Sequence, residues 1–217
     1  MSCFQGRTQA AAWESVTAWV GQGVDGVQLT PGNLPSPGFR DWVASSGIPI
    51  RKHHGFSWTQ YRRSVWDGET TKFSDPGRSV HPPSTGDLDR IVDAARNAGF
   101  ALETMYPGEL LGTGSELVVA MRASAKLAVD VSHLWIQTSA GVLGDRDLAA
   151  LLDYDRIVEV HVSHNDGRRD LHRPLRSGSY LLDWALGSGH PLIFESYLHG
   201  AGPDAVRQQL DMLRSAA

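Results

Sequence analysis

The sequence predicts an α/β protein: a single compact (β/α)8 TIM barrel with short loops. Three observations lead there. Short apolar runs of β-type composition alternate with helical stretches from end to end, eight times over. No linker, low-complexity tract or internal repeat divides the 217 residues, so one domain covers 1–217. His, Asp and Glu residues fall at the C-terminal ends of six successive strand candidates. Strands that alternate with helices imply parallel pairing with right-handed crossovers. Eight such units typically take about 250 residues, so this chain needs short connections. An open sheet with one or two fewer strands is the alternative.

The first strand candidate is 2–4, followed by a helix at 10–20. The second strand is 26–29, with a short helix at 39–45. The third is 48–53, with a helix at 57–66, and the fourth is a short run at 78–81. Leu88, Ile91, Val92 and Ala95 then recur at helical spacing over 87–97, and Gly99 stops that helix as a C-terminal cap. The fifth strand is 100–105, its helix 115–123; the sixth is 126–131, its helix 145–152. The seventh, 157–162, alternates apolar and polar residues and precedes a helix at 180–186. The eighth is 191–194, and a helix at 203–213 begins with Pro203, which suits a first turn.

Composition excludes several classes of function. Hydrophobic residues are 41% and charged residues 20%, a soluble globular balance. No run of about eighteen apolar residues occurs, so no membrane partner is expected. No basic segment leads into an apolar one at the start, which with a single cysteine predicts a cytoplasmic protein. Cys3 alone can form neither an internal disulfide nor a cysteine zinc site. A net charge of −4 argues against a nucleic-acid partner, which needs a basic face. Nine histidines stand beside only three lysines, several of them near carboxylates, and imidazole is a common metal ligand.

In a barrel of this kind the active site lies at the C-terminal ends of the strands. The third predicted strand ends in His53-His54, the fourth in His81, the fifth in Glu103 and the sixth in Asp130, with His133 three residues on. The seventh carries His161, with Asp170 and His172 in the loop behind it, and the eighth ends in Glu195. Adjacent strand residues point oppositely, so only one of His53 and His54 faces inward, and His54, before Gly55, is the candidate. Carboxylates clustered without a counter-charge repel one another and protonate, a penalty that a divalent cation removes. Glu103, Asp130, His161 and Glu195 offer three carboxylates and one imidazole, a set suited to Mn, Co, Mg, Fe or Zn.

Each of these residues also has a plainer reading. The four could form a buried structural charge network. His133 could bind substrate, Asp170 and His172 could cap a loop, and His81 could be a turn residue before Pro82-Pro83. Glu159 shares a strand face with His161, so it either orients that imidazole or fills the barrel interior. Arg168, Arg169 and Arg173 could grip a phosphate or carboxylate, or be solvated. Arg173 is the substrate-binding candidate among them, with Trp135 as a pocket wall; His164, His190 and His199 read as surface or loop residues.

Val129-Asp130-Val131-Ser132-His133 resembles the D-x-x-H strand end of the xylose isomerase-like TIM barrels. The stretch from Glu159-Val160-His161 through Asp170-Leu171-His172-Arg173-Pro174-Leu175 resembles that superfamily's seventh-strand signature, with His164 where an aspartate is common and Arg176 where a glycine is common. Ile193-Phe194-Glu195 resembles its last strand. The likeness covers about residues 77–200.

The superfamily holds sugar and sugar-phosphate isomerases and epimerases and endonuclease IV, and it neighbours multinuclear non-haem iron oxidative enzymes. The resemblance implies a metal held by Glu103, Asp130, His161 and Glu195, with Glu103 and Glu195 as the catalytic acid/base pair. It also implies, in a multinuclear arrangement of up to three ions, His54, His81 and Glu103 on one ion and His133, Asp170 and His172 on a third. The expected function is a divalent-metal-dependent isomerase or epimerase of a sugar or small polyhydroxylated substrate. The alternatives are a di- or tri-iron oxidative enzyme acting on a peptide or natural-product intermediate, a trinuclear zinc phosphodiesterase, and a barrel kept only for binding. Barrels of this group often pair, so a homodimer is an expectation too.

Overall fold

The computed structural model describes residues 9–29, 37–54, 78–198 and 201–214. Seven strands are present among them: β1 Val27–Leu29, β2 Ile50–His54, β3 Arg78–Val80, β4 Ala101–Glu103, β5 Lys126–Asp130, β6 Ile157–Val162 and β7 Leu192–Phe194. They pair in sequence order, every neighbour parallel, with one register shift between Leu127 and Ala128. The helices are α1 Gln9–Gly21, α2 Pro37–Ser46, α3 Leu88–Ala98, α4 Gly114–Arg122, α5 Val131–Ser139, α6 Asp145–Leu152, α7 Leu182–Gly187 and α8 Pro203–Arg214. None is long and apolar enough to cross a membrane.

The sheet curls into a nearly closed barrel. Contacts across its interior demonstrate the curl. In a flat sheet β2 and β6, four strands apart, would be separated by roughly 19 Å. Instead Arg51 Nη1 on β2 and Gln28 Nε2 on β1 each lie 3.0 Å from the Glu159 carboxylate on β6. The predicted first strand at 2–4 and the predicted helix at 57–66 lie outside the described residues. A cavity of about 450 Å³ lies between β1 and β7, lined by Val27, Arg51, Leu192 and Phe194 among others.

Strand alternation sorts the two faces. Leu102, Leu127, Val129, Val160 and Val162 join the apolar core with Ala95, Leu117, Ala120, Leu134 and Leu151 of the helices. The residues between them, Glu103, Asp130, Glu159 and His161, are equally buried but face the barrel interior. The same parity carries Arg51 and His53 on β2 to that interior.

Helix α5 is an element the sequence reading did not include. It starts directly at the end of β5, where Asp130 Oδ1 accepts hydrogen bonds from the backbone N–H of Ser132 (2.7 Å) and His133 (3.0 Å). An aspartate in the N-cap position satisfies two amide donors that the first turn leaves open. The strand therefore turns into a helix without a loop, and His133 is carried into the barrel mouth.

Candidate metal centre

Glu103 stands at the middle of the site. It ends β4, is 1% exposed, and uses its two oxygens in different directions. Oε2 lies 3.1 Å from His53 Nε2 and 3.1 Å from His81 Nε2. Oε1 lies 3.5 Å from His161 Nδ1 and 3.6 Å from His133 Nδ1. From the opposite side, Glu195 Oε2, just past β7, lies 3.6 Å from His161 Nδ1. Asp130 spends Oδ1 on the α5 cap and turns Oδ2 inward, 3.8 Å from His133 Nε2.

Two groups of ligand-type atoms result, with the atoms of each within 4.8 Å of one another: Glu103, Asp130, His161 and Glu195, and His53, His81 and Glu103. These buried clusters could hold a metal ion. They share Glu103.

The hydrogen bonding tests the fit of a cation. Glu103 Oε2, Asp130 Oδ2, His161 Nδ1 and His133 Nε2 are buried without a hydrogen-bond partner among the described residues. Leaving such atoms unmatched costs about 1–3 kcal/mol each, more when charged. The histidine protons follow from the partners of the other ring nitrogens. His133 Nδ1 meets the Thr104 carbonyl at 2.8 Å and must donate to it. His161 Nε2 meets Glu159 Oε1 at 3.0 Å and donates there. Ser79 Oγ gives its one proton to Glu159 Oε1 at 2.5 Å, so it accepts from His53 Nδ1 at 2.9 Å. In the neutral form that a metal ligand takes, each imidazole thus turns a lone pair toward carboxylate oxygens. Lone pairs facing lone pairs suit a cation between them, and anchoring the outer nitrogen is how proteins orient metal-binding histidines.

Without a cation the same geometry raises some pKa values and lowers others. Burial opposes charging His161, but Glu195 and Glu103 hold its pKa well above the usual histidine value. His133 is raised too, against its burial, by Asp130 and Asp170. His53 goes the other way: burial outweighs Glu103 and lowers it to about 4. Burial would raise Glu103, yet His81, His161 and His53 hold it well below the usual carboxylate value. Asp130 is raised by burial, and Glu103, Glu195 and Asp170 push the same way.

Glu159 lies beneath the centre, and its Oε1 accepts from Gln28 Nε2, Ser79 Oγ and His161 Nε2 while Arg51 Nη1 pairs with Oε2. A third group within reach of one ion, His53, Glu159 and His161, is therefore already filled with donors. Burial pushes the Glu159 carboxyl up, but the hydrogen bonds and charge of His161 and the Ser79 hydroxyl bring it to about 2, from 4.5. A depressed folded-state pKa stabilises the fold above pH 4.5, and that contribution is lost as pH falls toward 2. Its size is on the order of 3 kcal/mol. Urea unfolding at a series of pH values should show the acid limb flatten in Glu159→Gln; an unchanged limb would contradict the assignment.

The loop after β6 closes over one side. His164 and Arg173 exchange backbone hydrogen bonds of 2.9 and 2.7 Å, and Asn165 Nδ2 donates to the Ser132 carbonyl. Asp170 Oδ2 lies 3.4 Å from His133 Nε2 and 2.9 Å from His172 Nε2. His133, Asp170 and His172 are neighbours, but the three are not among the groups that place all ligand atoms within 4.8 Å in the described residues.

One sequence expectation needs correction, and three other candidates take definite places. The inward histidine of β2 is His53, 4% exposed and touching Glu103; it takes the place given to His54, whose side chain lies outside the described residues. Trp135 packs against His164 (5.2 Å between ring centroids) and stacks on Tyr180 (6.1 Å). It sits two positions past His133 on α5, and residues two apart on a helix do not share a face. A Cβ on Gly167 would come within 3.0 Å of Trp135 Nε1, so the loop lies against that ring only as glycine, at φ 73°. His164, read as a surface or loop residue, lies in the loop after β6, where it is buried and bonded to Ser179 Oγ at 3.2 Å. Arg173 is exposed, with its backbone in the loop bridge.

The sequence reading passed over Ser79, Thr104, Gln28 and Tyr106. Tyr106 meets His133 edge-on, ring centroids 5.0 Å apart. Only the first two had a signal, as small polar residues in apolar strand ends. Compared with protein-family models and with curated proteins, the chain matches none.

Proposed function

We propose that this chain is a divalent-metal-dependent isomerase or epimerase acting on a sugar or small polyhydroxylated substrate by carboxylate-mediated proton transfer. The carrying observation is the buried convergence of Glu103, Asp130, His161 and Glu195 at the C-terminal rim of the barrel. Its motif resemblance to xylose isomerase-like barrels supports the same choice. When bound, a divalent ion such as Mn, Co, Mg, Fe or Zn supplies a Lewis acid that polarises a carbonyl and its neighbouring hydroxyl. Glu103 and Glu195 come from β4 and from beyond β7 and approach His161 Nδ1 from two sides. One takes a proton from a substrate carbon and the other returns one to the adjacent carbon. His133, fixed by the Thr104 carbonyl, points Nε2 at Asp170, where a substrate hydroxyl can be bound. Arg173 in the exposed loop is the group available to an anionic substituent.

One observation favours a second reading. His53 and His81 both hold Nε2 3.1 Å from Glu103 Oε2, so a second cation could share Glu103. Glu103 would then be engaged on both oxygens and unable to act as a base. That arrangement suits a multinuclear iron oxidative enzyme or a zinc phosphodiesterase better than an isomerase.

Metal content per chain, measured on protein purified without air, chelator or nickel, separates the two. About one Mn, Co, Mg or Zn supports the isomerase reading. Two or three irons, with oxygen consumed on turnover, replace it with oxidative chemistry, and three zincs replace it with hydrolysis. No ion taken up even after each is added back refutes all of them.

A further inference from the structure

We infer that Ser79 is a positioning residue tying His53 to Glu159, so that one carboxylate beneath the centre sets the metal-facing nitrogen of two imidazoles on opposite sides of the barrel. The inference rests on the metal-centre reading above and extends it below the ligands. His53 sits opposite Ser79 in the β2–β3 register, and both are buried. The Ser79 hydroxyl lies between His53 Nδ1 (2.9 Å) and Glu159 Oε1 (2.5 Å). The Ser79 hydroxyl donates its one proton along the shorter contact, to Glu159 Oε1, so the proton between Ser79 and His53 belongs to His53. That leaves His53 Nε2 bare toward Glu103. On the other side Glu159 Oε1 takes the Nε2–H of His161 directly and leaves Nδ1 as the nitrogen that faces the centre. The two rings therefore present different nitrogens to the centre for the same reason. Arg51 reaches the other oxygen of that carboxylate, Oε2, at 3.0 Å.

The two arms are unequal, which makes them separable. Without the Ser79 hydroxyl, His53 has lost its acceptor at Nδ1 and can place its proton on Nε2, where it becomes a donor to Glu103 and no ligand. His161 keeps its own bond to Glu159. Loss of an outer partner typically lowers metal affinity about 10–100-fold.

The test compares wild type, Ser79→Ala, Ser79→Thr and Glu159→Gln by zinc titration against a competing chelator and by ¹⁵N NMR of the imidazole nitrogens. In Ser79→Ala the His53 nitrogens should leave the Nδ1–H pattern and one of the two zinc events should drop about 10–100-fold, with the His161 signals in place. Ser79→Thr should restore both, and Glu159→Gln should disturb both rings. A merely structural role would lower thermal stability and leave the nitrogen patterns alone. Unchanged His53 nitrogens in Ser79→Ala, or an equal change at His161, overturns the inference. If wild type takes up one zinc or none, the second-cation or the metal reading fails, and the nitrogen signals still decide the role of Ser79.

Discussion

Replacing Glu103 with glutamine should remove metal from the whole centre, with an affinity loss on the order of 100-fold or more and turnover lost with it. The change is nearly isosteric, so packing around a residue that is 1% exposed is preserved while the charge disappears. Glu103 belongs to both ligand groups, so one substitution reaches both. The readout need not be activity. A ligand at 100 times its dissociation constant stabilises the state that binds it by about 2.7 kcal/mol. Wild type should therefore melt higher as metal is added, and Glu103→Gln should show little or no rise. A variant that keeps its metal and its metal-dependent shift would remove Glu103 from the centre.

Asp130 should divide into two separable functions. In Asp130→Asn the amide oxygen can still accept the Ser132 and His133 amide protons, since asparagine is as good an N-cap as aspartate. The inward oxygen loses its charge, so metal affinity falls. The metal-free protein should be as stable as wild type or more so, because a carboxyl whose pKa is raised by burial, and further by Glu103, Glu195 and Asp170, is no longer present. Asp130→Ala should lose metal and cap together, costing about 1–2 kcal/mol more. At this chain length each kcal/mol moves the melting temperature by about 2–4 °C. Melting curves with and without EDTA check both variants. Equal destabilisation by Asn and Ala would mean that Asp130 does not cap α5.

Much of the architecture was legible in the chain. Six of the seven later strand candidates correspond to β2–β7 and the remaining one to β1, because short apolar runs between helical stretches leave few other arrangements. The helix over 87–97 was readable from its apolar spacing, and Gly99 does cap its end; the structure adds Asp87 as the cap at its start. Helix α5 was not read. Val131 to Gln137 is mostly apolar and begins inside a strand-like run, and its start signal is an aspartate that also looked like a ligand. One residue carried two messages, and the strand-end reading took only one.

The sequence by itself determined which residue types could meet at the barrel rim, since strand ends in a parallel α/β order face the same way. It determined Glu103, Asp130, His161 and Glu195 as a set, and Glu159 as the inward neighbour of His161. Only the tertiary structure decided that His53 enters the centre. The chain shows two adjacent histidines, and a period of two says that one faces inward without saying which; pairing with Ser79 on β3 sets that phase. The tertiary structure also decided that Gln28, Arg51, Ser79 and His161 all spend their hydrogen bonds on one carboxylate. Those residues are as far apart as 133 positions in the chain, Gln28 to His161. Local preference cannot encode such a meeting, because it comes into being only when the sheet curls.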